Sequence, residues 1–538
     1  MKYSAVIVAA AAAAASAKLE PITMKGSKLF YTNGTQFFMK GVAYQQDSAA
    51  GGETTSKKSY SDPLADEKAC KRDVPLLKEL GTNIIRTYAI DPEADHTACM
   101  KLLDDAGIYV ISDLSEPSVS INRDDPKWDI ELYQRYIGVV DELAKYDNVV
   151  GFFAGNEVSN NVSNTQASAF VKAAVRDTKK HIKSKYDRWL GVGYASNDDV
   201  DIREDIADYF NCGKDDERID YWGYNIYSWC GKSSMKDSGY STQAEFFKDY
   251  SVPVFFAEYG CNEPDGAANR IFDETTALYE EKEMTDVFSG GIVYMYHQEA
   301  NDYGLVKISK NGDAVKQKDF AQLKKKATAA QPQGVEEDDY KPTGKTPTCP
   351  TQSKTWRVNA LLPPTPDKSL CDCMVKSRSC VPADDLKAKD FNEIFGYICG
   401  ENKKICTAIN ANATAGIYGA YSMCDNEAKL AYILDAYYKE QNSNANACDF
   451  KGKATTQKAQ NQDSCKAKLE SADKINEEVA TATAAAGAAS TGESESEDDD
   501  ESFGLQAATI ARVFSLGDYA VGAYMAVAGV VGAGMVLL

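Results

Sequence analysis

The sequence predicts an α/β fold, a (β/α)8 TIM barrel, followed by a small and mostly helical module held together by disulfides. Two observations lead to this prediction. Eight short apolar runs recur between residues 38 and 298, and eight of the 14 cysteines fall within residues 371–465. Continuous apolar runs are typical of parallel strands covered on both faces. Eight strand–helix units are the number that closes such a barrel.

Each apolar run predicts one strand, and the intervals between runs are long enough for crossover helices. DEKACKRDVPLLKELG (66–81), before the second run, and STQAEFFKDYS (241–251), before the seventh, have the composition of such helices. An open, doubly wound sheet would give similar runs, but no G-x-G-x-x-G motif follows the first one. The predicted strands are FMKGVAY (38–44), NIIRTYAI (83–90), IYVISDL (108–114), VVGFFAGNE (149–157), WLGVGYA (189–195), YWGYNIYS (221–228), VPVFFAEYG (252–260) and GGIVYMYHQ (290–298).

Residues 1–17 predict a secretory signal peptide that is removed. Lys2 supplies a short basic region, an apolar stretch follows, and Ala15-Ser16-Ala17 fits a cleavage site. A membrane anchor is the alternative, but the apolar run is short for a spanning helix. We therefore expect the barrel domain to occupy residues 18–330 and to enter the oxidising secretory pathway, where cysteine-rich proteins form disulfides.

The composition changes after the barrel. Residues 331–365 form a polar linker that contains Cys349, residues 366–470 form the cysteine-rich module, and residues 471–509 are Ala-rich and then acidic. We interpret this last segment as a disordered stalk. The cysteines of the module allow too many pairings for the sequence to fix their connectivity. They are Cys371, Cys373, Cys380, Cys399, Cys406, Cys424, Cys448 and Cys465.

The chain ends in an apolar segment, residues 510–538, with nothing polar after it and small residues upstream. This layout predicts a GPI-attachment signal, whose tail is exchanged for a lipid anchor. The attachment residue stays open, and Ala507 is one candidate. A tail-anchoring helix is the alternative, but the segment is rich in Gly and Ala and has no basic flank on its far side.

The charge balance is acidic, with 80 Asp and Glu against 59 Lys and Arg. A nucleic-acid partner would require a basic surface, so this class of ligand is excluded. A neutral ligand such as a glycan is compatible with the composition. We expect a monomer.

Two glutamates stand at the ends of predicted strands. Catalytic groups of parallel barrels project from the carboxyl ends of the strands. The fourth run ends in Asn156-Glu157 and the seventh in Glu258-Tyr259, so closure of the barrel brings Glu157 and Glu258 to one mouth. Glycosidic cleavage requires such a pair, one carboxyl protonated and the other ionised. Ordinary strand-end carboxylates are the alternative.

The neighbours of the two glutamates are suited to the same chemistry. Asn156 is placed to bond a sugar 2-OH, and the Tyr227 hydroxyl could position the nucleophile. Arg86 could pair with Glu258 and keep it ionised. A core tyrosine and a structural ion pair are the alternatives for Tyr227 and Arg86.

Aromatic residues lie at or just beyond several strand ends, where a sugar-binding cleft would run. Tyrosine faces offer pyranose rings an apolar surface with a polar edge. For each residue alone a core role is about as reasonable, but as a set they favour a saccharide. They are Tyr44, Tyr88, Tyr294 and Tyr303.

The sequence lacks the motifs of other common catalytic and metal-binding sites. The histidines, His96, His181 and His297, are scattered along the chain, and no H-E-x-x-H, G-x-S-x-G or P-loop motif occurs. We interpret the three histidines as structural, and we expect no metal and no cofactor.

Five motifs together resemble the fungal β-1,3-glucanosyltransferases of glycoside hydrolase family 72, the Gas/Gel/Phr group. The resemblance covers residues 19–349, and the module resembles a family 43 carbohydrate-binding module. The motifs are GNEVSNN, GYNIYSWCG, FFAEYGCNEP, IIRTYAID and NDYGLV.

The resemblance implies a role for each matching residue. Glu157 would be the acid/base, Glu258 the nucleophile, and residues 115–123 would line the donor side together with Asp113. The remaining glucan contacts would be Tyr88, Asn156, Asp198, Arg203, Tyr227, Tyr294 and Tyr303. The resemblance also implies the pairs Cys70–Cys99, Cys230–Cys261 and Cys212–Cys349.

The expected reaction is transfer of β-1,3-glucan by a retaining double displacement, which elongates glucan of the cell wall at the outer face of the plasma membrane. A hydrolytic endo-β-1,3-glucanase and a non-catalytic, glucan-binding wall adhesin are the alternatives. Sequence does not give the gap between the carboxyl groups, which is about 5–5.5 Å for retention and about 6.5–9.5 Å for inversion. Family stalks are often Ser-rich and O-glycosylated. Residues 471–509 are instead Ala-rich and then acidic, which argues against a heavily mannosylated stalk. The sequons at Asn33, Asn161 and Asn412 predict N-glycosylation.

Overall fold

The computed structural model describes residues 18–46, 60–460 and 462–491. Side chains of the last helix are described as far as residue 483. The predicted signal peptide, the acidic part of the predicted stalk and the predicted GPI signal lie outside these residues.

Eight parallel strands close into a barrel, as predicted. Each strand pairs with its neighbours in chain order, and the last pairs with the first through the register Gly290↔Met39 to Val293↔Val42. All eight apolar runs form strands, with ends that differ from the predicted ends by a few residues. The strands are β1 Met39–Ala43, β2 Ile84–Thr87, β3 Tyr109–Asp113, β4 Val149–Asn156, β5 Gly191–Ser196, β6 Trp222–Asn225, β7 Val254–Tyr259 and β8 Phe288–Val293.

A helix follows each strand and covers the outside of the barrel. Asp66 begins the first helix by accepting from the Ala69 backbone N–H, and Asp129 begins the third by accepting from that of Leu132. The helices are α1 Glu67–Glu79, α2 Thr97–Ala106, α3 Ile130–Leu143, α4 Ala167–Lys185, α5 Arg203–Asn211, α6 Tyr240–Phe247, α7 Asp273–Glu280 and α8 Phe320–Ala329.

The barrel interior is filled with side chains. Phe153, Tyr221 and Phe255 lie inside it with no exposed surface, and their rings contact one another. A Cβ at Gly193 would lie 2.3 Å from the Tyr221 ring, so only glycine leaves room for this tyrosine. A second, larger apolar layer lies between the strands and the helices. The packed interior gives the strand ends fixed positions.

Shorter elements complete the barrel domain. A hairpin precedes β1, a second hairpin lies between β8 and α8, and three short helices lie in the loops. Their bounds are Thr23–Lys25 with Lys28–Phe30, Val306–Ile308 with Ala314–Lys316, Val162–Asn164, Ala267–Asn269 and Lys282–Thr285.

The C-terminal module is mostly helical, as predicted. Its helices are α9 Lys368–Lys376, α10 Ala388–Glu401, α11 Asn426–Glu440 and α12 Asp463–Thr491, with short helices Ile405–Ile409, Ala445–Cys448 and Phe450–Gly452. Two short strand pairs are Cys380–Pro382 with Ala454–Thr456, and Ala411–Asn412 with Ile417–Tyr418. Its disulfides are Cys371–Cys424, Cys373–Cys465, Cys380–Cys448 and Cys399–Cys406.

The predicted disordered stalk, residues 471–509, is wrong for residues 471–491, which belong to α12. Alanine is the best helix former, so an Ala-rich composition is compatible with a helix as well as with a flexible stalk. Tertiary contacts decide between the two: Ala472 is buried in the module core, and the Asn476 side chain accepts from the Ala420 backbone N–H at 2.8 Å.

The linker and the module pack against the barrel. Trp356 has no exposed surface and, with Val358, belongs to the layer between strands and helices. Ile130, at the start of α3, packs into the module core, and its N–H donates to the Met423 carbonyl at 3.1 Å. The Phe170 and Tyr418 rings are in contact across the same boundary. Of the helices described, none combines the length and the apolar character needed to cross a membrane.

Candidate active site

Glu258 lies at the carboxyl end of β7 and accepts three hydrogen bonds. The Tyr88 hydroxyl donates to Oε1 at 2.8 Å, the Tyr227 hydroxyl donates to Oε2 at 2.8 Å, and Arg86 Nη1 donates to Oε1 at 3.3 Å. The side chain is 10% exposed. Both oxygens of the carboxyl group are thus held by donors of the protein.

Arg86 connects the groups of this mouth. It projects from β2 with no exposed surface, and its Nε and Nη2 each donate to one oxygen of Asp113 at 3.0 Å. Nη2 also donates to Asn156 Oδ1 at 2.9 Å. Burial opposes the charge on Arg86, but Asp113 and Glu258 outweigh burial and raise its pKa. Asp113 therefore holds the cation in place, and burial raises the pKa of Asp113 itself.

Glu157 follows β4 directly and has a different environment. Its backbone has φ 48°, a left-handed conformation that is unusual for a side-chain-bearing residue. The Ala195 carbonyl accepts from its N–H at 2.8 Å, and Arg123 Nη2 donates to its carbonyl at 2.7 Å. Asn225 Nδ2 donates to its Oε1 at 2.9 Å. Burial, and then the charge of Glu258, raise the pKa of the Glu157 carboxyl.

The two carboxyl groups belong to one hydrogen-bonded network. Asn225 Nδ2 donates to Asn156 Oδ1 at 3.0 Å as well as to Glu157. Asn156 Oδ1 in turn accepts from Arg86, which contacts Glu258. The Asn156 oxygen is thus engaged on the protein side, which leaves its Nδ2 as the donor for a ligand hydroxyl.

Four tyrosines lie together at this mouth, and two of them bond Glu258. Their ring centroids lie 6.3 Å apart for Tyr88 and Tyr294, 5.7 Å for Tyr227 and Tyr303, and 5.4 Å for Tyr294 and Tyr303. We call Tyr88, Tyr227, Tyr294 and Tyr303 the tyrosine cluster. Such rings supply the apolar faces and hydroxyl edges that pyranose rings bind.

Asp198 and Arg203 lie together beyond the end of β5. Arg203 Nη2 is 2.9 Å from Asp198 Oδ1, and the Tyr224 hydroxyl donates to the same carboxylate. Both charged side chains are partly exposed, 26% for Arg203 and 22% for Asp198. They stand at the same end of the barrel as the glutamates but outside their hydrogen-bond network.

The remaining sequence candidates lie elsewhere. Tyr44 is a core residue whose hydroxyl donates to buried Asp73, so it does not line the mouth. His96 bonds Asp62 and Glu142, and His181 bonds Asp141. His297 is buried beside Tyr44. Within residues 18–46, 60–460 and 462–491, no group of His, Cys, Asp and Glu side chains forms a metal site.

Asn225 is a residue of the site that was not predicted from the sequence. It ends β6 two residues before Tyr227, in the same NIY segment, and it is 3% exposed. The signal was available, since strand ends at a barrel mouth carry the functional groups. Its Oδ1 is buried and has no hydrogen-bond partner among the described residues.

The barrel cysteines are joined in the pairs that the resemblance implies: Cys70–Cys99, Cys230–Cys261 and Cys212–Cys349. The second pair connects the loop after Tyr227 to the loop after Glu258. The sequon residues Asn33, Asn161 and Asn412 are exposed.

Comparison with known proteins gives the same picture. Residues 11–331 match the glucanosyltransferase family, glycoside hydrolase family 72, and residues 378–455 match the X8 domain. A 1,3-beta-glucanosyltransferase of Arthroderma benhamiae is 56% identical over 482 residues, 86% of this chain and 87% of the relative. The 1,3-beta-glucanosyltransferase gas1 of Schizosaccharomyces pombe is 44% identical over 85% of this chain and 82% of the relative.

A solved structure has the same fold. A mutant of Saccharomyces cerevisiae Gas2p in complex with laminaritetraose and laminaripentaose superimposes with a TM-score of 0.76 and 40% identity, covering 85% of this chain and 99% of that one. The chain described here belongs to the glucanosyltransferase family, glycoside hydrolase family 72, and carries an X8 domain after its barrel.

Proposed function

We propose that this enzyme cleaves an internal linkage of β-1,3-glucan and transfers the new reducing end to the non-reducing end of another glucan chain, with retention of configuration. One observation carries the proposal. Two carboxyl groups share one mouth with different surroundings: three donors hold the oxygens of Glu258, whereas burial and the charge of Glu258 raise the pKa of Glu157. Opposed carboxyl environments identify the acid and the nucleophile of a glycosidase site.

In the first step, a carboxylate oxygen of Glu258 forms a bond to the anomeric carbon. The glycosidic C–O bond breaks, and the departing oxygen receives the proton of Glu157. Tyr88 and Tyr227 hold the attacking carboxylate at both oxygens. The Asn156 amide, oriented by Arg86 and Asn225, is the donor placed for the sugar 2-OH.

In the second step, Glu157 acts as the base. Ester formation removes the negative charge of Glu258, which is one of the two causes that raise the pKa of Glu157. The pKa therefore falls when a base is needed. Glu157 takes the proton of the incoming 3-OH, whose oxygen bonds the anomeric carbon as Glu258 leaves. Water in place of the sugar hydroxyl gives hydrolysis.

The choice of a glucan substrate is supported by the tyrosine cluster and by the relatives. Four rings lie beside the nucleophile, each with its centroid within about 6.5 Å of that of at least one other. The solved Gas2p structure holds laminari-oligosaccharides. Transfer rather than hydrolysis is supported by the activity that the relatives' names state.

The module supports a second contact with glucan. Tyr397 of α10, Tyr437 of α11 and Phe450 form a surface cluster with ring centroids 5.7–6.2 Å apart, and Tyr397 is 51% exposed. We call these three residues the aromatic platform. An exposed cluster of rings with adjacent hydroxyls is suited to a neutral polysaccharide.

We further propose that the enzyme acts at the outer face of the plasma membrane and in the cell wall, held by a GPI lipid. Support comes from the sequence of residues 1–17 and 510–538, and from the disulfides, which require an oxidising compartment.

Incubation with reduced laminari-oligosaccharides tests the activity. Products longer than the substrate are expected. Shorter products alone would indicate an endo-β-1,3-glucanase, and unchanged substrate would indicate a glucan-binding adhesin; either result overturns the proposal.

Azide distinguishes the two glutamates. With Glu157→Ala and an activated aryl glycoside donor, whose leaving group departs without a proton, azide attacks the glycosyl ester in place of the acceptor and gives a β-glycosyl azide. With Glu258→Ala, azide takes the place of the nucleophile and gives the α-anomer. The reverse pattern of anomers would contradict the assigned roles.

A further inference from the structure

A buried arginine outside the reacting groups holds the backbone of three segments of the mouth. Arg270 lies between β7 and α7, and its side chain is 1% exposed. Nη1 donates to the Gly260 carbonyl at 3.2 Å and to the Tyr294 carbonyl at 2.7 Å, and Nη2 donates to the Tyr303 carbonyl at 2.6 Å. Gly260 comes two residues after Glu258, while Tyr294 and Tyr303 belong to the tyrosine cluster.

The charge of Arg270 is balanced by Asp319, the fully buried residue before α8. Asp319 Oδ2 accepts from Nε at 3.0 Å and from Nη2 at 2.6 Å. The guanidinium plane is thereby fixed, with its carbon 4.8 Å from the centroid of the Phe272 ring. An unpaired buried cation would be costly, so the two residues act as one unit.

These contacts hold the backbone of two residues of the tyrosine cluster. Tyr294 and Tyr303 are on different segments, one directly after β8 and the other in the loop that follows. Besides the Arg270 bonds, the Tyr303 carbonyl accepts from the Met295 N–H at 3.2 Å. A fork-shaped donor can hold two carbonyls at a set distance, whereas the single ammonium of a lysine cannot.

We propose that Arg270 and Asp319 are positioning residues that set the spacing of Tyr294 and Tyr303, and through it glucan affinity and the partition of the glycosyl-enzyme between sugar and water. This rests on the proposed function. Sugar transfer requires the acceptor to be held against the anomeric carbon more effectively than water. A displacement of about 1 Å in positioning groups costs up to about 10²-fold in rate.

The test compares Arg270→Lys and Asp319→Asn with Asp177→Asn in the full-length chain. Asp177 is a matched control because it is also a buried partner of an arginine, Arg176, but contacts Trp128 and Thr365 rather than any residue of the mouth. The readouts are the thermal midpoint, the ratio of transfer to hydrolysis products, and the Kd for laminaripentaose measured in the Glu157→Gln background.

Arg270→Lys and Asp319→Asn are expected to raise Kd and to lower the transfer ratio by about tenfold each. The control is expected to lose thermal stability only. If Arg270→Lys does not fold, Asp319→Asn gives the answer, since it keeps the shape of the side chain. Wild-type Kd and product ratio in Asp319→Asn, or a control that changes equally, overturn the positioning role. Failure of the wild-type enzyme to elongate laminari-oligosaccharides, by contrast, overturns the proposed function itself.

Discussion

At the scale of single residues, the two carboxyl groups of the barrel mouth have different hydrogen-bond partners and different burial. Glu258 accepts from two tyrosine hydroxyls and an arginine, whereas Glu157 accepts from one amide and is half-buried, and burial and the charge of Glu258 raise its pKa. The left-handed backbone of Glu157 adds local strain, which persists at functional sites where the surrounding structure enforces it. Glu157 is therefore the carboxyl group whose surroundings favour a proton before the reaction.

The raised pKa of Glu157 predicts the alkaline limit of activity. The free enzyme needs Glu157 protonated, so kcat/KM falls as the pH rises through this pKa, and the fall is expected above the ordinary glutamate range near pH 4.5. The pH profile of kcat/KM on a laminari-oligosaccharide checks this. An alkaline limb centred at or below pH 4.5 would contradict the assignment.

Asn225 is predicted to tune that limb. Its amide bond to Glu157 favours the ionised form, so Asn225→Ala removes a contribution that lowers the pKa of Glu157. The alkaline limb should move to higher pH, while kcat falls by about 10–10²-fold because the acid loses its orientation.

A double variant provides the control for Asn225. In Glu157→Gln, the further change Asn225→Ala should lower the residual rate by less than it lowers the wild-type rate, because only its contact with Asn156 is then left to lose. An alkaline limb that stays in place or moves to lower pH would show that Asn225 does not act through Glu157.

Residues at strand ends could be predicted from the sequence because their position follows from the strand pattern alone. Glu157, Glu258 and Arg86 all lie where that pattern places them. Tyr44 fulfils the same pattern but points to Asp73 in the core, and strand position does not determine which way a side chain faces. Asp73 is a buried residue of α1. Its contact with Tyr44 depends on how that helix packs against the barrel, and the local sequence pattern does not show this packing.

At the scale of elements, the predicted strands agree with the structure because both-face burial leaves a direct trace in composition. The predicted start of the stalk, residue 471, lies within α12, because composition alone does not show the contacts that hold this helix to the module. Ala-rich sequence is compatible with both helix and stalk, and the contacts of Ala472 and Asn476 with residues distant in sequence decide the outcome. Disulfide connectivity within the module depends on the same kind of distant contact.

The aromatic platform should carry the affinity of the module for insoluble glucan. Tyr397→Ala removes its most exposed ring and is expected to weaken binding to particulate β-1,3-glucan by about tenfold. Stacking of a nucleic-acid base on an aromatic side chain contributes about 1–3 kcal/mol, and a loss of similar size is expected here. Co-sedimentation with the glucan measures this.

Turnover of short laminari-oligosaccharides is the control for the platform, and it should be unaffected by Tyr397→Ala. Equal binding by the wild type and the variant would remove the platform from the proposal.

At the scale of the whole molecule, the barrel and module share apolar contacts rather than a free tether. Ile130 of the barrel packs in the module core. Trp356 of the linker packs in the apolar layer of the barrel. Separation would expose both side chains to water, which favours the docked arrangement.

A lipid anchor is predicted to account for membrane attachment of the mature chain. Treatment of membranes with a phosphatidylinositol-specific phospholipase should release the enzyme into the aqueous phase, because cleavage removes the acyl chains that hold it. A chain ending at residue 509 should be secreted without treatment. Retention in the membrane after phospholipase digestion would instead support a tail-anchoring helix.

The disulfide between Cys212 and Cys349 imposes an order on biogenesis. Its cysteines are separated by 137 residues, so on the proposed secretory route the first enters the oxidising compartment before the second has been synthesised. Until residue 349 arrives, the thiol at the end of α5 is open to mixed disulfides with oxidoreductases or to a wrong partner. Correct oxidation of this barrel therefore ends only after its last strand has been translocated, and a ribosome stalled within the linker would leave a reactive thiol on an otherwise complete domain.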